Sequence, residues 1–230
     1  MIINTVLWFL LPATILAQPL TTLTPQEKKD GWTLLFDGSS MTGWTTPDGK
    51  PIGAGWVVEN GTLTAKKGAK GGDIVSAGEY ADFELVLDYN LEPTGNSGVK
   101  YFYTHYETGG NLGMEFQLLD DQLAEDNKKA NHLMGSFYDV LAPDAALKRV
   151  NPPGHWNSIR IVAKGLQVQH WLNGVKILEF TRGSTPFTEA VAGSKFSKTV
   201  PAFGTVTRGR ILLQEHGHAV SFRNIKIKIV

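Results

Sequence analysis

The chain has 230 residues, in which 22 Lys plus Arg balance 22 Asp plus Glu, and it has no cysteine. The balance leaves no basic footprint for nucleic acid and no polybasic patch for a membrane surface. The missing thiols exclude disulfides, thiolate metal sites, cysteine nucleophiles and a lipidated N-terminal cysteine.

Residues 1–17 carry no charged side chain, run apolar through Val-Leu-Trp-Phe-Leu-Leu and end Ile15-Leu16-Ala17. This pattern predicts a signal peptide cut after Ala17 and an exported protein, periplasmic or extracellular. The run is shorter than the roughly 20 residues of a membrane span, so no stable span is expected after cleavage. Residues 18–30 form a leader in which Thr24-Pro25-Gln26-Glu27 reads as a capping box with proline at the first helical position. One short helix, ending near Asp30-Gly31, is predicted there.

From residue 31 to 230 helical periodicity is scarce. Short β-branched and aromatic runs recur between Gly, Asn and Pro signals. They predict strands at Thr33–Phe36, Trp56–Glu59, Thr62–Ala65, Phe83–Asn90, Ser97–Tyr103, Met114–Leu119, Trp156–Ala163, Leu166–Leu172, Val175–Phe180, Gly209–Glu215 and Val220–Val230. Asn60-Gly61 and Asn173-Gly174 mark tight two-residue hairpins, and Lys164-Gly165 a third. With 25 glycines and 11 prolines, and no repeat or linker, the pattern predicts one all-β sandwich or jelly-roll domain. In the last strand, strict alternation puts Phe222, Asn224, Lys226 and Lys228 opposite Arg223, Ile225, Ile227 and Ile229.

The segment Gly113 to Asp121 carries the strongest functional signal. Met114, Phe116 and Leu118 face one way, Glu115 and Gln117 the other. A carboxylate and an amide on one strand face suit a groove that holds a polar ligand. Asp120 joins that face only through a β-bulge, and Asp121 only without one; otherwise both simply start the next turn. The following loop adds Glu125, Asp126, Asn131 and His132, and His132 suits proton exchange near neutral pH. Tyr138, and Trp156 at a turn-to-strand junction, are candidates for a groove rim. Gln214 and His216, distant in sequence, could converge on the same groove, with His218 a weaker third. His170 reads as a packed residue.

Several segments together resemble one family. They are Leu35-Phe36-Asp37-Gly38, Gly43-Trp44, Asn96-Ser97-Gly98-Val99, Gly113 to Asp121, Gly135-Ser136-Phe137-Tyr138, Trp156-Asn157, Leu172-Asn173-Gly174, and Leu213-Gln214-Glu215-His216-Gly217 followed by Phe222-Arg223-Asn224-Ile225. The chain resembles the 3-keto-disaccharide hydrolase (DUF1080) domain family from about Gly31 to Val230. The resemblance implies a concanavalin A-like jelly roll of two antiparallel sheets. It also implies action on glycosides already oxidised to a ketone at carbon 3, by 1,2-elimination and rehydration. It departs at residue 218, where His218 stands in place of a frequent acidic residue.

A base must take the carbon-2 proton, an acid must protonate the leaving oxygen, and donors or a cation must steady the enolate. The expected base is Glu115 or His132, with the other or Asp120 as acid or ligand. Gln117, Tyr138, Trp156, Asn157, Gln214 and His216 are expected to hold the carbohydrate substrate. A divalent cation, if used, would be calcium, manganese or zinc, given the oxygen and imidazole donors. A conventional glycosidase and a non-catalytic carbohydrate-binding sandwich are the rival readings.

Overall fold

The computed structural model describes residues 22–230, so the expected cut at Ala17 lies outside the described residues. Helix α1 (Pro25–Lys29) forms where the capping box predicts. Thr24 Oγ1 accepts from the Glu27 N–H at 3.2 Å and Glu27 Oε2 accepts from the Thr24 N–H at 2.8 Å, so two donors left over at the helix start are satisfied. Glu27 also pairs with Lys226, which ties the helix to the sandwich. Among the described residues no helix is long and apolar enough to cross a membrane.

The strands, in chain order, are β1 (Trp32–Leu34), β2 (Trp44–Thr45), β3 (Trp56–Glu59), β4 (Thr62–Ala65), β5 (Ile74–Tyr80), β6 (Phe83–Leu91), β7 (Asn96–Tyr106), β8 (Gly110–Leu119), β9 (Asn157–Lys164), β10 (Gln167–Leu172), β11 (Val175–Thr181), β12 (Gly209–Leu213) and β13 (Val220–Ile229). They form two antiparallel sheets. The larger runs β11-β10-β9-β6-β13-β4-β3, with β1 also on β13; the smaller runs β2-β5-β12-β7-β8. The hairpins at Asn60-Gly61 and Asn173-Gly174 have positive φ at both residues, as a tight primed turn requires. Between the sheets lie Phe83, Leu85, Leu87 and Tyr89 of β6 and Met114, Phe116 and Leu118 of β8. Burying each leucine or phenylalanine contributes roughly 1.5–3 kcal/mol.

Three expectations need correction. Strict alternation in β13 fails because the register shifts between Arg223 and Lys226, with Asn224 at φ 53°. This bulge changes the phase of the strand, so Phe222 joins Ile225 and Ile227 in the core. Strand β5 was hidden by its small residues, Ser76-Ala77-Gly78; the Ser76 hydroxyl accepts from the Ile211 N–H at 3.0 Å where the β5–β12 ladder is irregular. A second helix, α2 (Thr185–Gly193), starts at an N-cap serine, Ser184, with Pro186 in its first turn. Its buried Phe187 stacks on Phe137 and Phe180.

Strand β8 lies at the edge of the smaller sheet, and the chain returns along it. The Gly135 N–H donates to Gln117 O at 2.9 Å, the Gln117 N–H to Ser136 O at 3.2 Å, and the Tyr138 N–H to Glu115 O at 3.1 Å. His170, fully buried on β10, fixes the same segment from behind. Its Nδ1–H donates to Gly135 O at 2.9 Å, and its Nε2 accepts from the Tyr101 hydroxyl at 2.9 Å. That is the bonding of a neutral ring, and burial pushes its pKa down to about 4.

A histidine whose folded pKa lies below its unfolded value of about 6.5 takes its proton first in the unfolded chain. The stability it supports is present above about pH 6.5 and is lost as the pH falls toward 4, a change of about 3 kcal/mol. Urea denaturation of the native sequence across this range is expected to show that contribution, and His170→Gln to lose it, with a correspondingly smaller fall in stability toward pH 4.

Candidate active site

Away from the core, the outer face of the smaller sheet carries a cavity of about 700 Å³, a size typical of small-molecule sites. Its floor is set by the β7–β8 register, which places Lys100 opposite Glu115 and Gly98 opposite Gln117. Glu115 leans over Gly98: a Cβ at residue 98 would lie 2.2 Å from Glu115 Oε1. Only glycine leaves the carboxylate that space. Lys100 Nζ stands 3.8 Å from Glu115 Oε2. The Gln117 amide, oriented to satisfy both its ends, donates to Glu115 Oε1 at 3.1 Å and to Ser97 O at 3.0 Å. Burial raises the Glu115 pKa above its ordinary 4.5; Lys100 and Lys195 oppose the shift, and Asp73 and Asp126 add to it.

The segment that pairs with β8 builds one wall. The Tyr138 hydroxyl donates to Asp126 Oδ2 at 2.7 Å. Lys195 Nζ donates to the Tyr138 oxygen at 3.1 Å and sits 4.3 Å from the ring centroid. Burial, then the bond to Asp126, pushes the Tyr138 phenol well above the usual range. Burial alone would raise Asp126, but hydrogen bonds from Tyr138 and His132 outweigh it and hold the carboxyl below its ordinary value. Lys195 and Phe196 reach the cavity from the chain that follows α2.

The opposite rim comes from the end of β12. The Gln214 N–H donates to Gly98 O at 2.9 Å, and Gln214 O accepts from the Ser97 hydroxyl at 2.8 Å. This anchors Gln214 beside the floor, with its side-chain Oε1 buried and without a partner. A ligand hydroxyl would satisfy it. His216 and His218 also line the cavity, with parallel rings 6.4 Å apart.

Glu115, Gln117, Tyr138, Gln214 and His216 are thus brought together, and four expected residues are not. His132 lies behind the wall, with Nδ1 2.7 Å from Asp126 Oδ1 and Nε2 2.7 Å from Asp139 Oδ1. Both nitrogens are engaged, so neither offers a lone pair to the cavity. Asp120 starts a turn: it accepts from the Gln122, Leu123 and Thr94 N–H groups. Trp156 packs under the Arg223 guanidinium, 4.0 Å from the ring centroid, on the larger sheet. Asn157 is buried and bonded to Asn151 and Asn173. Lys100 and Lys195 were missed. Lysine on a strand reads as solvent-facing, although the i, i+2 spacing of Gly98 and Lys100 matches that of Glu115 and Gln117. Among the described residues no three His, Asp or Glu side chains converge as a metal-ligand set.

Similarity to known proteins extends over most of the chain. A curated 3-keto-disaccharide hydrolase of Bacteroides thetaiotaomicron is 29% identical, over 87% of this chain and 79% of its own. A crystal structure from Parabacteroides distasonis, described as a candidate glycosyl hydrolase, superposes with a TM-score of 0.81 at 34% identity, covering 91% of this chain and 99% of the other. A second such structure from that organism gives 0.67 at 28% identity, covering 86% and 99%. Residues 31–228 match a family model, and the chain belongs to the 3-keto-alpha-glucoside-1,2-lyase-like domain family.

Proposed function

We propose that this protein cleaves glycosides carrying a ketone at carbon 3, by 1,2-elimination followed by hydration. The observation that carries the reading is Glu115, a desolvated carboxylate facing a sugar-sized cavity beside Lys100. Family membership supports it, as does the activity named for the Bacteroides relative.

In this reading Glu115 takes the proton from carbon 2, which the neighbouring ketone acidifies. The electron pair moves into the carbon-3 carbonyl, and the Lys100 ammonium balances the enolate oxygen. The enolate then reforms the ketone as the bond from carbon 1 to the glycosidic oxygen breaks. The leaving oxygen takes a proton from the Lys195 ammonium, which the Tyr138 oxygen holds at 3.1 Å, and Lys195 regains a proton from the water that adds next. Water adds at carbon 1 of the enone and carbon 2 regains a proton, so the sum is hydrolysis. A carboxylate whose pKa is raised by burial is a stronger base than an exposed one. An ordinary glycosidase would need a second carboxylate about 5–10 Å away and free to react; the strand neighbour on the Glu115 face is the amide of Gln117, and the Asp126 carboxylate in the wall is bonded to Tyr138 and His132. No step in this scheme runs through a metal. The uncharged apolar run of residues 1–17 supports export as part of the same reading.

A 3-keto disaccharide is expected to be cleaved and its unoxidised parent left intact, with solvent deuterium entering carbon 2 of the product faster than in an enzyme-free control. Glu115→Gln should lower kcat by about 10²–10⁴-fold. Cleavage of the parent, or no deuterium beyond the control, would overturn the reading.

The acid limb of kcat/KM follows the Glu115 proton. The base works only when ionised, so activity should fall as pH drops through a value above 4.5. Lys100 holds that value down, so Lys100→Met should move the limb to higher pH; a shift the other way would remove Glu115 as the base. For export, intact-mass measurement of the secreted or periplasmic protein is expected to give a chain beginning at Gln18.

A further inference from the structure

His132 faces the cavity from behind without lining it, and its bonds form a closed circuit. Nδ1 meets Asp126 Oδ1 and Nε2 meets Asp139 Oδ1, each at 2.7 Å. Asp126 Oδ2 accepts from the Tyr138 hydroxyl at 2.7 Å. Lys195 Nζ donates to that same hydroxyl at 3.1 Å, and the Lys195 backbone N–H donates to Asp139 Oδ2 at 2.7 Å. The circuit therefore returns to His132. It joins two stretches of chain far apart in sequence, the 126–139 loop and the turn after α2.

The Asp139 carboxylate is also placed by contacts other than the ring. Asp139 sits at φ 59°, a conformation that aspartate tolerates, and its N–H donates to Asn131 O at 2.9 Å. Lys129 Nζ lies 3.6 Å from the same Asp139 oxygen. The charged groups facing the ring are thus Asp126 and Asp139, with Lys129 and Lys195 behind them. The Tyr138 ring packs on its face, 4.7 Å between centroids. A ring with N–H donors at both nitrogens makes both bonds; a neutral imidazole donates only one.

We infer that His132 is a positioning residue, which holds Asp126 in place and through it fixes Tyr138, whose oxygen holds the Lys195 ammonium toward the leaving oxygen. The inference rests on the proposed role of Lys195. The circuit itself can be tested without that role. Tyr138 without a fixed Asp126 loses its acceptor, and a donor displaced by about 1 Å costs about 10² in rate.

The test compares His132→Phe, Tyr138→Phe and the double variant. His132→Phe is expected to lower kcat about 10²-fold while KM stays near the native value. Added to Tyr138→Phe it should cost little more, since both changes break one unit. In tyrosine-labelled protein the Cζ resonance of Tyr138, assigned by its loss in Tyr138→Phe, should move in His132→Phe. An unchanged kcat in a folded variant, losses that multiply, or an unmoved resonance would overturn the inference. Should His132→Phe fail to fold, Asp139→Asn keeps the ring and its packing and is expected to shift the same resonance; no shift there also overturns it. If the native protein cleaves no 3-keto-glycoside, the resonance alone decides, so the failure of the reaction and the failure of the circuit give different results.

Discussion

The site depends on the pairing of residues 135–138 with strand β8. An open edge strand exposes a row of unsatisfied backbone groups, and covering it removes that liability. Here the cover also does the assembly. Because the Tyr138 N–H bonds to Glu115 O, the backbone ladder itself sets the phenol beside the carboxylate. The same turn carries Asp139 into contact with His132. His170 and the Asp121 carboxylate hold the segment from the other side, the latter accepting from the Met134 N–H at 2.7 Å and pairing with Lys148 at 2.5 Å. Asp121 is therefore a fastener of the loop that carries the wall.

The electrostatics of the floor follow from competing magnitudes. Removing a carboxylate from water costs several kcal/mol. One cation about 4 Å away returns roughly 4 kcal/mol at an effective dielectric near 20. Lys100 at 3.8 Å therefore offsets most of the burial cost of Glu115 without cancelling it, and Asp73 and Asp126 push the other way. The outcome is a carboxyl whose pKa lies above its ordinary value. Asp126, with the same chemistry but two strong donors, is biased the opposite way. Two acids of one cavity are driven apart by what bonds to them, which is how a single site comes to hold a base and a separate fixed charge.

Much of the fold was legible because alternation and turn chemistry are local. Eleven segments read as strands from β-branched runs, and the Asn-Gly pairs marked hairpins that form as read. Glu115 and Gln117 were legible for the same reason, since one strand fixes their common face. What was not legible required register or bulges. Lys100 meets Glu115 only once β7 is set against β8. The phase of β13 turns on one residue, Asn224, in a left-handed conformation that alternation cannot see. His132 and Asp120 have suitable chemistry, but their hydrogen bonds are spent on carboxylates and on turn N–H groups, which only coordinates reveal. Trp156 and Asn157 belong to the larger sheet, and spacing alone does not say which side of a sandwich a junction faces.

Residues 182–208 leave β11 and rejoin at β12 without adding a strand to either sheet, yet they deliver Lys195 and Phe196 to the cavity. Doubling the length of such a connection costs only about 0.6 kcal/mol in closure entropy. The floor is locked by sheet register and by the bare backbone at Gly98, whereas this connection is held at Phe187 and Lys195 and is under no register constraint between them. In the proposed reaction, preference for one departing alcohol over another can thus drift through the rest of this surface excursion, while Lys195 and the floor stay as they are.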